Sequence, residues 1–500
     1  DDSENLFSFV FRTPPADNSG VAHILEHAVL SGSRNHQVKD PFIALMKGSV
    51  NTFLNAMTYP DKTVFPAAST VEKDYFNLLS VYGDAVFYPL LRKEVFHQEG
   101  CRISLDDDGA IGVEGVVYNE MKGNYSSHDS IVGEWSYRSL FPDSPYRFDS
   151  GGEPGAIRDL TYEEFVELHA QWYHPSNCQL FFYGNIPTER SLEFVAHRFL
   201  DGFDRREIDT SVPLQPPLPA GVNLTLTSPL AAEEDPKGKS TITINWIVGT
   251  IDDPFRVLGL EVLAEILLGN PGAPMQKAIV ESGLGEDLSP VSGLDTDTRE
   301  LVFSFGIRGT DVEKVSAFET LIYAELRKLA DEGLPPDAVS GALRRVEFRN
   351  REIKGGVPFG LRLLGKTLRG WLHGRRPETS LEFAPWMERL KNEASASAAA
   401  SAAAKPGFFE NLIIEAFLDN NQRSIATVVP SSEHEADEKA ELESWKKQLA
   451  DGLTDEDRAR IQEDQRVFDV FQETDDTDEG LASIPSLSIR TRKTDTFPSI

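Results

Sequence analysis

The chain has 500 residues, 80 of them Asp or Glu against 49 Lys or Arg, for a net charge of −31, and 40% of it is hydrophobic. That length and apolar content suit two or more globular domains with cores of their own. The acidity excludes nucleic acid as a partner, because neutralising phosphates takes a basic surface, and no apolar run is long enough to span a membrane. Cys101 and Cys178 are far apart and form no Cys-x-x-Cys. Buried thiols in a reducing compartment, cytoplasm or organelle matrix, are therefore expected.

In chain order, Asn5 to Arg12 reads as a strand, and His23-Ile24-Leu25-Glu26-His27 follows it. On a helix, His23 and His27 stand four apart, about one turn from each other on one face, which lets two imidazoles grip one metal ion. Glu26, three residues after His23, projects near that face, where a carboxylate can take a proton from a water activated at the metal. The order His-x-x-Glu-His reverses the common zinc signature and is the inverzincin pattern. Asn18 and Ser19 are N-cap types and Gly32 is a natural stop, so the helix is predicted between them. Ile24, Leu25, Ala28 and Val29 form its core side. A catalytic zinc takes three protein ligands and keeps a fourth position open. The motif supplies two, and Glu99, Glu114, Glu120 and Glu134 are all within reach in sequence as the third. The competing reading is a helix whose two histidines pack or face solvent.

Strand and helix patterns alternate through a first domain, residues 1–212, which ends at the Pro-rich linker Pro213-Leu214-Gln215-Pro216-Pro217-Leu218-Pro219. A second domain, 220–430, is predicted with strands over Thr241–Val248, Arg299–Ile307 and Ser424–Val429 and helices over Phe255–Leu268 and Val312–Glu332. Inside it, the low-complexity Ala/Ser segment 394–404 is a flexible insert or a marginal helix. Residues 433–478 are charged, helical in period and interrupted at Asp451-Gly452, which predicts a helical hairpin linker. The fold class is α+β, antiparallel-rich sheets packed by helices.

Three segments carry a resemblance: His23 to His27, Gly48-Ser49-Val50-Asn51-Thr52-Phe53-Leu54-Asn55-Ala56-Met57-Thr58-Tyr59-Pro60-Asp61, and Gly115-Val116-Val117-Tyr118-Asn119-Glu120-Met121-Lys122-Gly123. Asp149-Ser150-Gly151-Gly152 and Tyr173-His174-Pro175-Ser176-Asn177 extend it. Together they resemble the pitrilysin-type inverted zinc metalloproteases, most closely the presequence protease and falcilysin subfamily. The resemblance implies two related metalloprotease-type α/β sandwich domains, the second without metal. It implies one Zn2+ held by His23, His27 and Glu120, with Glu26 as general base. It also implies that Asn55, Ala56, Met57 and Thr58 form a strand that pairs with the backbone of the substrate, a β-augmentation that reads extension more than side chains.

The activity so implied is zinc-dependent endopeptidase cleavage of unfolded peptides, such as Arg-rich targeting peptides, with water activated by zinc and Glu26. Members of the subfamily are about twice this length, and two halves close a chamber around the substrate. The chain therefore looks like an N-terminal half, with residues 479–500 beginning the C-terminal half, and is expected to bind zinc yet cleave weakly or not at all alone. The rival reading is a non-catalytic, peptide-binding subunit of a processing complex in the same family. A zinc hydrolase acting on something other than peptides is the third.

Overall fold

Seven successive residues of β1 (Asn5–Arg12) are buried, the mark of a strand covered on both faces. After it come α1 (Val21–Val29), β2 (Asn51–Leu54), β3 (Met57–Tyr59) and β4 (Lys62–Ser69). A small ribbon, β5 (Arg102–Leu105) and β6 (Ile111–Glu114), precedes β7 (Cys178–Tyr183). The first sheet runs β2-β4-β1-β7, antiparallel throughout, with β3 beside β2 along the same edge of β4. This is a computed structural model, and it describes residues 2–106, 108–219, 221–353, 356–401 and 406–487.

Side-chain alternation along β1 decides what covers each face. Phe7, Phe9 and Phe11 join α1 and the helix Glu72–Phe87 in one core, where Phe11 stacks on Tyr173 with ring centres 4.6 Å apart. Val10 and Val64 face the other way and pack on Leu364, Leu368 and Leu372, in and just after the helix Phe359–Trp371. That helix comes from far along the chain, so both faces of the first sheet are covered only in the folded whole.

The second sheet comprises β8 (Val222–Pro229), β9 (Ser240–Thr250), β10 (Asp287–Leu288), β11 (Gly293–Asp295), β12 (Glu300–Thr310) and β13 (Arg423–Ser431). Its order is β10-β12-β9-β13-β8, with β11 also on β12, and β13–β8 is its parallel pair. Trp246, Phe303 and Phe305 pack with the helices Pro254–Leu268 and Val315–Glu332 in a second core. The molecule is thus α+β with antiparallel-rich sheets, as the sequence patterns indicate.

The helix His128–Arg138 packs on the second sheet, where Ser136 Oγ lies 2.9 Å from Thr243 Oγ1 on β9 and Ser139, its C-cap, places Oγ 2.7 Å from Ser424 Oγ on β13. Toward the end of the chain, helices His434–Gly452 and Asp455–Glu473 meet at Thr454, which caps the second with a reciprocal capping box. They lie back on the first part of the chain, where Asp464 pairs with Lys93 at 2.8 Å and Arg102 covers the buried Phe468 ring. The helix Phe383–Ser401 takes in the first part of the Ala/Ser segment; 402–404 and the tail 488–500 lie outside the described residues. Cys101 and Cys178 are unpaired thiols, both pushed up to about 12 by burial. Among the described residues, no helix is long and apolar enough to cross a membrane.

Candidate metal centre

α1 buries Ile24, Leu25, Ala28 and Val29 completely and turns His23 and His27 outward, half-buried. Their rings lie 5.0 Å apart at 80°. The start of the helix differs from the sequence expectation. Neither Asn18 nor Ser19 caps it; Gly20 does, at φ 65°. A Cβ on Gly20 would sit 2.5 Å from the Gly151 carbonyl oxygen, so the left-handed backbone and the close approach both require glycine. Asn18 is used elsewhere, its Oδ1 accepting the Asp149 N–H at 2.9 Å.

Glu120 comes from the helix Val116–Tyr125, which begins where Gly115 packs directly on the Gly100 carbonyl. Its Oε2 lies 3.8 Å from His23 Nε2 and 4.0 Å from His27 Nε2, and the three ligand atoms all fall within 4.8 Å of one another. Bonds of about 2.0–2.1 Å to a tetrahedral ion would set such atoms roughly 3.3 Å apart, a contraction well within side-chain adjustment.

The outer ring nitrogens are occupied as metal-bound histidines require. His23 Nδ1 lies 3.2 Å from the Gly151 carbonyl oxygen, and His27 Nδ1 lies 3.1 Å from Glu99 Oε2. In each ring a proton on Nδ1 leaves the Nε2 lone pair facing Glu120. Burial pulls the His27 imidazole down, but the Glu99 hydrogen bond and the charges of Glu26, Glu99 and Glu120 outweigh it and hold the ring above its ordinary pKa. A cluster of three carboxylates around two imidazoles is short of positive charge, which a divalent cation would supply. The donor set therefore fits zinc.

Glu26 is buried beside this cluster, and the Thr58 hydroxyl donates to its Oε2 at 2.6 Å. Asn55 lies exposed in the break between β2 and β3; its N–H donates to the Pro66 carbonyl and its own carbonyl accepts from the Tyr82 hydroxyl at 3.2 Å. Ala56 is half-buried against the first core, whereas Met57 turns to the opposite face of the sheet. The structure thus brings His23, His27, Glu120, Glu26 and Thr58 together and leaves Met57 apart.

The other carboxylates weighed as ligands have different partners. Glu114 pairs with Arg102 and Glu134 with Arg138, while Glu99 stands behind His27. Burial, with the nearby Asp149 and Glu153 charges, holds Glu134 above the usual carboxylate range. Sequence reasoning assigned no role to the Gly151 carbonyl or to the Thr58 hydroxyl at Glu26. The glycine pair 151–152 was the available signal.

Comparison with known proteins adds the family. Residues 12–104 match the family described as insulinase (peptidase family M16), and residues 159–346 match the M16 inactive domain. His23, Glu26 and His27 lie within the first match, and Glu120 lies between the two. Presequence protease 1 of Arabidopsis thaliana is 37% identical over 498 residues, covering 98% of this chain and 45% of that protein. The mitochondrial presequence protease of Xenopus laevis is 34% identical over 469 residues, covering 93% and 45%. An uncharacterised protein of Borreliella burgdorferi is 36% identical over 488 residues, covering 97% and 49%.

The chain therefore spans about half the length of the curated relatives it matches. Among solved structures, a protease from Helicobacter pylori superposes with a TM-score of 0.63 at 14% identity, over 85% of this chain and 94% of that one. The first half of the periplasmic protease PqqL from Escherichia coli does so at 0.58 and 12% identity, over 92% and 91%. These two share the fold. The motif, the fold and the relatives agree: this chain belongs to the insulinase and pitrilysin-like M16 peptidase family.

Proposed function

We propose that this chain is the metal-bearing half of a zinc-dependent endopeptidase for unfolded peptides, with one zinc ion held by His23, His27 and Glu120. The observation that carries this is the convergence of those three ligand atoms within 4.8 Å, with Glu26 buried alongside. When bound, zinc supplies Lewis acidity that polarises a peptide carbonyl and makes water more acidic. Glu26 takes a proton from the attacking water and returns it to the leaving amine. Thr58 holds one Glu26 oxygen by its 2.6 Å hydrogen bond, leaving the other free for that proton. β3 pairs with β4, and the edge of the segment Asn55 to Thr58 away from β4 accepts an extended substrate backbone. Extended, Arg-rich targeting peptides suit both that edge and a net charge of −31.

The C-terminal half that would close the chamber is a proposed partner, supported by the chain's spanning 45% of the Arabidopsis relative. Elemental analysis and cleavage of a panel of unstructured peptides, with and without chelator, test the reading. One zinc per chain is expected, bound far more weakly in His23→Ala. Peptide cleavage is expected to be weak in the chain alone, stronger with the second half, and abolished by chelator and by Glu26→Gln. Absence of zinc from the wild-type chain, or chelator-resistant cleavage, would overturn it.

A further inference from the structure

Behind His23 a single carboxylate braces the two helices that carry the proposed ligands. We infer that Asp149 is a positioning residue for His23, acting through the Gly151 carbonyl; this rests on the metal reading above. Asp149 is 8% exposed, and each of its three oxygens accepts a hydrogen bond. Its Oδ1 accepts the Gly151 N–H at 2.8 Å, and its main-chain carbonyl accepts the Gly152 N–H at 3.2 Å. These two bonds hold the peptide planes on both sides of the Gly151 Cα. In a trans peptide the carbonyl points opposite the following N–H. Tying the Gly152 N–H back to Asp149 therefore turns the Gly151 carbonyl outward, to the 3.2 Å contact with His23 Nδ1.

The other carboxylate oxygen reaches the second ligand helix. Asp149 Oδ2 accepts from the Tyr125 hydroxyl at 2.9 Å, and Tyr125 ends the helix Val116–Tyr125 that carries Glu120. Burial and the Asp149 charge hold the Tyr125 hydroxyl far above its ordinary pKa, so it stays a donor. One side chain thus spans from the partner of His23 to the helix of Glu120.

The surrounding glycines keep the brace tight. A Cβ on Gly151 would lie 2.9 Å from Met121 Cε and 3.1 Å from Asp149 Oδ1. One on Gly152, at φ 101°, would lie 2.8 Å from the Cα of Gly20, where α1 starts. The loop, the beginning of α1 and the Glu120 helix are consequently in direct contact. The Asp149 carboxylate is linked to the His23 ring through the Gly151 backbone, with no other side chain between them.

The test is zinc affinity of the full chain, measured by competition with a chromogenic chelator, together with the thermal stability of the metal-free protein. Loss of an outer partner of a metal-bound histidine costs roughly 10- to 100-fold in affinity. Asp149→Ala is expected to lose about that much, and Tyr125→Phe a smaller multiple. Asp149→Asn, which keeps an oxygen for the Gly151 N–H, is expected to recover most of the affinity.

A residue acting through His23 has no further effect once His23 is gone. Against a His23→Ala background, which binds zinc weakly, Asp149→Ala is expected to change the residual affinity little. Wild-type affinity in both Asp149→Ala and Tyr125→Phe would overturn the inference while leaving the metal reading intact, as would an equal loss with and without His23. Failure of the wild-type chain to bind zinc would overturn the metal reading, and this inference with it. Should Asp149→Ala not fold, Tyr125→Phe decides in both backgrounds: a loss of affinity that disappears in His23→Ala supports the inference, and unchanged affinity, or an equal loss with and without His23, removes it.

Discussion

The Thr58 hydroxyl donates a 2.6 Å hydrogen bond to Glu26 Oε2, tying the edge strand proposed to receive substrate to the proposed general base. A hydrogen bond to a charged group contributes about 1.5–3 kcal/mol. If Glu26 must be held in one orientation to move its proton, Thr58→Val is expected to lower kcat/KM by roughly 10- to 100-fold. Thr58→Ser, which keeps the hydroxyl, is expected to recover most of it. Peptide hydrolysis by the zinc-loaded protein together with the proposed second half checks this, and equal rates for the valine and serine variants would sink it.

Glu99 stands behind His27 as Gly151 stands behind His23. Its Oε1 accepts from Gln98 Nε2 at 2.7 Å, so the carboxylate is held from both ends. Glu99→Gln is expected to weaken zinc binding by roughly 10- to 100-fold. Glu114→Gln, on an exposed side chain, is expected to leave it unchanged. Chelator competition on the two variants separates a carboxylate that orients a ligand from one that is merely nearby.

Beyond β3, the chain turns through Asp61, which is 2% exposed. Its carboxylate accepts from the Tyr146 hydroxyl at 2.6 Å and from Lys62 Nζ at 3.2 Å, with His373 Nε2 at 3.5 Å. The Tyr146 hydroxyl in turn accepts the Arg299 N–H at 2.9 Å, which reaches the second sheet. Removing one donor from a buried carboxylate costs about 1.5–3 kcal/mol. Tyr146→Phe is expected to lower the unfolding free energy measured in urea by that amount. A stability unchanged within error would show that the network is not needed there.

His169 supplies a pH dependence. Burial pushes its imidazole down to about 4, against the raising effect of its hydrogen bond to the Val86 carbonyl. The unfolded chain takes up that proton near pH 6.5, so between about 6.5 and 4 the unfolded state binds more protons than the folded one. The contribution is fully present above pH 6.5 and is lost progressively as pH falls toward 4, on the order of 3 kcal/mol in all. Thermal unfolding between pH 7 and pH 4 should show this slope, and His169→Gln should flatten it. An unaltered slope in the variant would refute the assignment.

Local order was legible in the residues because its causes are local. The four-residue spacing of His23 and His27 alone puts both rings on one face of α1. The segment Asn5–Arg12 reads as a strand, and the charged stretch after residue 433 as a pair of helices. Glu120 was expected as a ligand from the residues around it, by resemblance, since no periodicity links it to a helix more than ninety residues earlier.

Other features of the centre belong to the tertiary structure. Asn18 and Ser19 have the right chemistry for a helix cap, yet Gly20 takes the position, because the 151–152 loop presses on the start of α1 and only a left-handed glycine clears it. Likewise Glu99, Gly151 and Thr58 stand in segments the sequence singled out, yet no spacing along the chain gives the contacts they make with His27, His23 and Glu26. Their roles arise where the chain returns to the same few ångströms from distant points. The sequence by itself determined which side chains could bind a metal and move a proton. Packing between distant segments decided which atoms orient them, because contacts of that kind depend on three-dimensional proximity and leave no periodicity along the chain.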